Sequence, residues 1–279
     1  ESALRLKSSM LAEHVRASVV LAKPKHAVEK IASVDLNPSI LKTHLRLVYF
    51  RMESLALFPL WYFAFIFSVS AHEMAHAWAA VRGGDLTPRD QLTLNPIPHI
   101  QREPVGMVFF PIISYMLQGF MFGWASAPLN PYWIIRNPKP AGWVALAGPL
   151  VNLGIALFAS LLILVGLHTG LFSPPGSISM TQLIGSDYVE GLARFLSILF
   201  SLNVILFVFN LIPVPPLDGA SVLALVLPER WTLKLFEIVH NPQFAIIGLL
   251  VVWMFAGVII TPCYRFFVGL LLTLYPVHF

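Results

Sequence analysis

Two histidines in the sequence have the spacing of a metal-binding pair. His72 and His76 enclose Glu73 in the segment His-Glu-Met-Ala-His. Residues i and i+4 of a helix differ by about 40° around its axis, so both imidazoles project from one face. Two such nitrogens reach one Zn²⁺ ion, and the adjacent carboxylate can accept a proton from water. The pattern predicts the hydrolytic centre of a zinc enzyme.

The surroundings of this motif are apolar. It follows the run 61–69, and ionisable side chains within a membrane-spanning helix are costly and usually functional. The alternative is that the histidines form hydrogen bonds with neighbouring helices while Glu73 reaches the membrane interface. We favour metal binding, because three ionisable residues fall within five positions.

A catalytic zinc ion needs a third protein ligand and keeps one position for water. Cys263 is the only cysteine and lies in a distant apolar run, so we do not expect it to be a ligand. Asp218 is the best candidate. It follows three prolines at 213–216, which end a helix and leave irregular backbone of the kind that lines polar cavities in membranes. The alternative is an aspartate that only caps an interfacial turn.

The composition indicates that lipid is the solvent of this chain. Of its residues 57% are hydrophobic and 11% are charged, whereas soluble domains are about 25% charged. Five apolar runs approach or exceed the roughly 20 residues that cross a bilayer; they are 57–81, 105–124, 143–167, 192–211 and 244–274. The last run is interrupted near Pro262 and is expected to form one span plus a half-span.

We therefore predict an all-α polytopic membrane protein. Its fold is a bundle of about five to six transmembrane helices with a short extended or re-entrant segment near the active site. The proline-rich residues 125–140 are the candidate for that segment, because they cannot form one continuous helix.

The positive charge of the chain is concentrated near its start. Nine of the 18 Lys and Arg residues lie in the first 51 positions. This favours a juxtamembrane segment near anionic lipid headgroups, and we expect no nucleic-acid partner. The predicted organisation is a basic N-terminal segment at 1–54, a catalytic transmembrane core at 55–228 and one or more C-terminal transmembrane helices at 229–279.

Four motifs occur in a defined order. They are HEMAH at 72–76, FGWASAPLN at 122–130, ALAGPLVN at 145–152 and FNLIPVPPLDG at 209–219. Together they resemble the bacterial site-2 proteases, a family of intramembrane zinc metalloproteases, over about residues 57–228.

The resemblance implies roles for six residues. His72, His76 and Asp218 match the ligands of one zinc ion per chain, and Glu73 matches the catalytic glutamate. Asn210 matches an asparagine that assists at the active site, and Asn152 matches a supporting polar residue that faces it. An ordinary interhelical hydrogen bond is the alternative for Asn152.

The resemblance also implies a function. It is the hydrolysis of peptide bonds within or near the transmembrane segments of membrane-protein substrates, as in regulated intramembrane proteolysis. The enzyme is then a multi-pass protein of the lipid bilayer, in a bacterial cell membrane. Its regulation is expected to come from a partner protein or from residues 1–50. The alternative is a non-catalytic metal-binding membrane protein, either a transporter or a pseudoprotease scaffold.

Two details qualify the resemblance. Ser126 stands where family members often have lysine, which affects the substrate side of the site. His99, which follows Leu-Asn-Pro at 94–96, is expected to be a loop histidine, because a fourth protein ligand would close the position that water needs. The membrane topology stays open, since the family places the N-terminal residues outside and their charge favours the cytosol.

Overall fold

A computed structural model describes residues 38–239 and 241–275; the side chains of 38–54, 242, 253 and 256 are not described. Most of the predicted N-terminal segment 1–54 therefore lies outside the described residues. Two compact units, Glu1–Ala56 and Leu57–Phe279, divide the chain, and the second contains all candidate site residues. The described residues form helices and loops, with isolated bridges but no β-strand.

Within 38–239 and 241–275 there are nine α-helices. They are α1 Pro38–Gly83, α2 Pro96–Arg102, α3 Phe110–Gln118, α4 Pro131–Arg136, α5 Pro138–His168, α6 Glu190–Asn210, α7 Asp218–Val222, α8 Glu229–Val239 and α9 Pro242–Thr273. A π-helical turn, Val105–Phe109, precedes α3, and short 3₁₀ turns lie at Arg89–Gln91 and Leu223–Leu225.

Three described segments are long and apolar enough to cross a membrane: Leu55–Gly83, Pro138–His168 and Glu190–Asn210. A fourth is counted if Glu229–Val239 and Gln243–Val252 form one bent span. The three correspond to the predicted runs 57–81, 143–167 and 192–211. The chain is thus a helical, multi-pass integral membrane protein, as predicted, with fewer qualifying spans among the described residues than the five to six expected.

The predicted run 105–124 is not one helix. The π-helical turn leads into α3, which ends before Gly119, where φ is +75°. The 14 residues 105–118 cover only about 21 Å as helix, and a bilayer core is ~30 Å thick. Residues 121–130 then run without regular structure, and the Trp124 N–H donates to the Gly106 carbonyl at 3.1 Å.

The extended segment, residues 121–130, is therefore shorter than the predicted 125–140 and begins earlier. Pro131 and Pro138 stand at the first positions of α4 and α5. Proline suits the first helical position, because a backbone N–H there would have no hydrogen-bond acceptor within the helix. The two prolines that prevent one continuous helix across 125–140 thus begin two separate helices.

The last apolar run also differs from expectation. α9 is one helix of 32 residues, with Pro262 inside it. Helices in membranes tolerate an internal proline because neighbouring groups satisfy the freed carbonyl. The interruption predicted near Pro262 is therefore absent from the described helix.

The core lies where α1, α5 and α6 meet. Of the most apolar stretch of α6, 67% is buried, compared with 33% for α5, so α6 is the central helix. Buried side chains from the three helices form one cluster, which includes Trp61, Phe65, Ile163, Ile198 and Val204. This packing holds the metal-binding motif of α1 against the middle of the bundle.

The end of α1 is joined to the extended segment. Gly84 has φ +100°, and the Asp85 N–H donates to the Ala80 carbonyl at 2.9 Å, as in a glycine-terminated helix. The buried Asp85 carboxylate then accepts the N–H groups of Thr87 at 3.0 Å and Asn130 at 2.8 Å. One carboxylate thus fixes the last residue of the segment 121–130 relative to the helix that carries His72 and His76.

Candidate metal centre

The two histidines of α1 point to one place. Both are buried, and their Nε2 atoms lie 2.9 Å apart. Their rings meet edge to face, with centroids 4.5 Å apart. The i, i+4 spacing therefore brings the imidazoles together as expected.

The opposite nitrogen of each ring is held by α5. His76 Nδ1 lies 2.7 Å from the Val144 carbonyl, which can only accept, so Nδ1 carries the proton and Nε2 keeps a lone pair. His72 Nδ1 lies 2.6 Å from Asn152 Oδ1. Partners of this kind orient metal-binding histidines and raise their basicity.

Gly148 allows α5 to come this close. A Cβ atom at this position would overlap His76 Nε2 and lie 2.6 Å from His72 Nε2. An ordinary Cβ contact is 3.4–4 Å. The glycine therefore leaves room for the two nitrogens and for whatever they bind.

Asp218, the first residue of α7, supplies an oxygen at the same point. Its Oδ2 lies 3.1 Å from His72 Nε2 and 3.4 Å from His76 Nε2. Ligand atoms of a tetrahedral zinc ion with bonds of 2.0–2.1 Å are about 3.4 Å apart. The Asp218–His76 distance matches this value, and the other two distances are shorter by up to about 0.5 Å. Two imidazoles and one carboxylate also form a ligand set that zinc uses, so the donors fit this metal and lie close to its spacing.

Gly219 sets the position of Asp218. A Cβ atom on Gly219 would overlap the backbone of Leu211, just after the end of α6. Glycine lets α7 start against that backbone, which brings Asp218 from a remote part of the chain to the histidines of α1.

Glu73 completes the group. Its carboxylate and the two imidazoles have ligand atoms within 4.8 Å of one another, and all three residues are buried. Glu73 Oε2 has no hydrogen-bond partner among the described residues. A buried carboxylate oxygen is costly unless it meets water or a cation, so this atom marks a place for one of them.

The group opens into a cleft of about 210 Å³. Glu73, His76 and Asp218 form one wall of the cleft. The extended segment forms another, through Ala125, Ser126, Ala127 and Leu129, and the remaining lining residues are Ile134, Ala141, Ala145, Pro216, Ser221 and Phe236. None of the backbone N–H groups from Ala125 to Leu129 donates to another described residue.

Sequence reasoning missed part of the polar network behind His72. Asn152 Nδ2 donates to Asn203 Oδ1 at 2.9 Å, and Asn203 Nδ2 donates to Ser68 Oγ at 2.8 Å. Asn152, Asn203 and Ser68 are fully buried. The available signal was an amide side chain in the centre of an apolar run, which is expensive without a partner.

Two other candidates lie apart from this network. Asn210, the last residue of α6, donates from Nδ2 to the Leu206 carbonyl at 3.0 Å. His99 is buried in α2, with Nε2 2.9 Å from the Thr93 carbonyl, and it does not belong to the metal-binding group of the described residues.

Comparison with known proteins agrees with this geometry. The family model of peptidase family M50 matches residues 61–254, which include the whole candidate centre. The chain belongs to peptidase family M50. The predictions of a site-2 protease and of a membrane zinc metalloprotease are confirmed.

Relatives in this family come from bacteria and archaea. The chain is 35% identical over 192 residues to YwhC of Bacillus subtilis, covering 67% of this chain and 78% of the relative. It is 31% identical over 160 residues to Rip2 of Mycolicibacterium smegmatis, covering 57% and 53%, respectively. It is 30% identical over 147 residues to MJ0611 of Methanocaldococcus jannaschii, covering 52% and 61%. No solved structure matches the chain.

Each of the three relatives is named as a proposed zinc metalloprotease. The chain spans more than three quarters of YwhC but only about half of Rip2. Family membership and the metal-binding group therefore apply to this chain, whereas its substrate and partners are matters for proposal.

Proposed function

We propose that this M50 protease hydrolyses peptide bonds within or near the transmembrane segments of membrane-protein substrates, as in regulated intramembrane proteolysis. One observation carries the proposal. The two Nε2 atoms and the Asp218 carboxylate oxygen lie 2.9–3.4 Å from one another. Beside them is the buried Glu73, one oxygen of which has no hydrogen-bond partner among the described residues, and the group lines a cleft in a membrane-embedded bundle.

In this proposal His72, His76 and Asp218 bind one zinc ion per chain, through the two Nε2 atoms and a carboxylate oxygen. The hydrogen bonds from each Nδ1 to Val144 and Asn152 support this assignment, since they leave both Nε2 lone pairs free. When bound, zinc lowers the pKa of water and polarises the scissile carbonyl.

Glu73 is the proton-transfer group. Its unpartnered oxygen accepts a proton from the attacking water as the new C–O bond forms. The same carboxyl group then gives this proton to the amine nitrogen as the C–N bond breaks. Asn210 is assigned the stabilisation of the substrate backbone or oxyanion; its Nδ2 uses one hydrogen for the Leu206 carbonyl and keeps the other for this role.

The substrate lies along the extended segment. A transmembrane helix satisfies its own amides, so it must unwind locally before hydrolysis. The backbone N–H groups from Ala125 to Leu129, all except that of Pro128, which has none, can pair with the unwound strand at the edge of the cleft, next to Glu73. The small side chains of Ala125 and Ala127 leave room for this strand.

Among the described residues, four spanning segments and one re-entrant segment fit this function, which is fewer spans than the predicted five to six transmembrane helices. The spans are the three qualifying helices and the 32-residue α9, and residues 105–118 enter without crossing. Irregular backbone at membrane depth is tolerated where it lines a water-filled cavity, and residues 121–130 line the cleft.

The substitution Glu73→Gln tests the catalytic assignment. It keeps the size of the side chain but removes its ability to take a proton, so we expect cleavage of a single-span model substrate to be abolished while zinc remains bound. Cleavage and zinc content are measured on the same preparation. Cleavage at the wild-type rate with the glutamine variant contradicts the proposal.

A metal transporter is the competing function. A transport path needs several metal-binding groups along its length. Within the described parts of the chain, a single group of His, Cys, Asp and Glu side chains meets the geometric requirement for a metal ion, and it contains the glutamate of a hydrolase. No observation favours transport.

A further inference from the structure

Asn203 lies in the middle of α6, and its fully buried side chain forms hydrogen bonds through both its amide nitrogen and its amide oxygen. Its Nδ2 donates two hydrogen bonds, to the Leu199 carbonyl and to Ser68 Oγ, each 2.8 Å long. Its Oδ1 accepts a third, from Asn152 Nδ2 at 2.9 Å. Both amide hydrogens of Asn203 are thus used.

These bonds fix the direction of a chain of amides. The Leu199 carbonyl can only accept, so the nitrogen end of Asn203 must face it and the oxygen end must face Asn152. Asn152 then turns its own nitrogen to Asn203 and its oxygen to His72 Nδ1. As a result, His72 must carry its proton on Nδ1, which leaves the Nε2 lone pair free.

We propose that Asn203 is a positioning residue for the zinc site: through Asn152, it selects the His72 tautomer that can bind the metal. This inference rests on the proposed zinc ligands. Without the Asn203 acceptor, the Asn152 amide is free to turn its nitrogen toward His72. His72 Nδ1 would then have to accept, the proton would move to Nε2, and that nitrogen could no longer bind a cation.

The substitution Asn203→Leu tests this role. We expect it to weaken zinc binding by about tenfold, at the lower end of the 10–100-fold cost of losing an outer partner of a metal ligand. Ser201→Ala is the matched control. Ser201 is buried on the same helix and bonds to Tyr264 at 2.8 Å, away from Asn152, so its loss should leave zinc affinity unchanged.

A double variant separates positioning from a merely structural role. The carboxylate introduced by Asn152→Asp has two equivalent acceptor oxygens, so it needs no neighbour to orient it toward His72 Nδ1. In the Asn152→Asp background, Asn203→Leu should therefore leave zinc affinity within about threefold of that of Asn152→Asp alone. A general packing defect at Asn203 would lower zinc affinity in that background as much as it does in the wild-type chain.

The measurement is zinc affinity by competition with a chromogenic chelator, on the purified full chain, with thermal unfolding as a check of folding. Wild-type affinity for Asn203→Leu, or an equal loss of affinity when Asn203→Leu is added to Asn152→Asp, overturns the inference. If leucine prevents folding, Asn203→Ala decides, because it also removes the acceptor for Asn152; wild-type zinc affinity in that variant likewise overturns the inference. Failure of the wild-type chain to bind zinc would instead reject the proposed metal site itself.

Discussion

The substitution Gly148→Ala separates helix stability from the integrity of the metal site. Alanine has a higher helix propensity than glycine by about 1 kcal/mol, so the change favours α5 itself. The new Cβ atom, however, would lie 2.6 Å from His72 Nε2, where ordinary contacts begin at 3.4 Å. The imidazole or the helix must therefore move by about 0.8 Å, whereas metal–ligand distances tolerate only about 0.2 Å.

We expect Gly148→Ala to weaken zinc binding and to lower cleavage by at least about 100-fold, the cost of a displacement near 1 Å at a reaction centre. Gly154→Ala is the matched control, because it is the same change on the same helix and its Cβ atom would have no neighbour within 4 Å. Zinc content, cleavage of a single-span model substrate and the unfolding temperature are measured for both variants. If Gly148→Ala retains zinc and wild-type cleavage, the close approach of α5 is not what shapes the site.

Two further predictions concern the surroundings of the site. Asn152→Leu should weaken zinc binding by about 10–100-fold in a chelator competition, since His72 loses the partner of its Nδ1, whereas Ser160→Ala on the same helix should not. Burial of Asp85 acts to raise its pKa, but hydrogen bonds from Asn130 and Thr87 outweigh burial and hold the pKa below its ordinary value of 3.8. Its stabilising contribution is therefore present at neutral pH and is lost as the pH falls through that lowered pKa. Asp85→Asn should cost about 1–3 kcal/mol at pH 7, and the difference in unfolding temperature from wild type should shrink in acid; a constant difference contradicts this assignment.

Local patterns in the sequence predicted the histidine pair well. His72, Glu73 and His76 are close along the chain, and helix geometry alone places the two imidazoles on one face. The apolar runs around 57–81, 143–167 and 192–211 likewise predicted long helices, because the hydrophobic length needed to cross a bilayer is a property of each segment by itself.

The other parts of the site depend on how distant helices are rotated against one another. The approach of Asp218 needs a glycine that fits against Leu211, and the partner of His76 is a backbone carbonyl, for which residue type carries no signal. Asn203 belongs to none of the recognised motifs. Its role emerges only when α5 and α6 are placed side by side.

The sequence pattern also could not predict where the extended segment begins and ends. Prolines at 131 and 138 exclude a single helix across 125–140, but proline also begins helices, and the pattern does not distinguish these two effects. The early end of α3 depends on a left-handed Gly119 and on backbone contact between Trp124 and Gly106. Such close backbone approaches are decided by tertiary packing.

The most direct test of the metal site is the zinc content of the purified chain and of its Asp218→Ala variant. In the proposed site His72, His76 and Asp218 supply three of the four positions around a tetrahedral zinc ion, so we predict about one zinc ion per wild-type chain. The variant should lose that zinc while its helical content remains. A variant that holds zinc as tightly as the wild type would show that the carboxylate beside the two imidazoles is not a ligand.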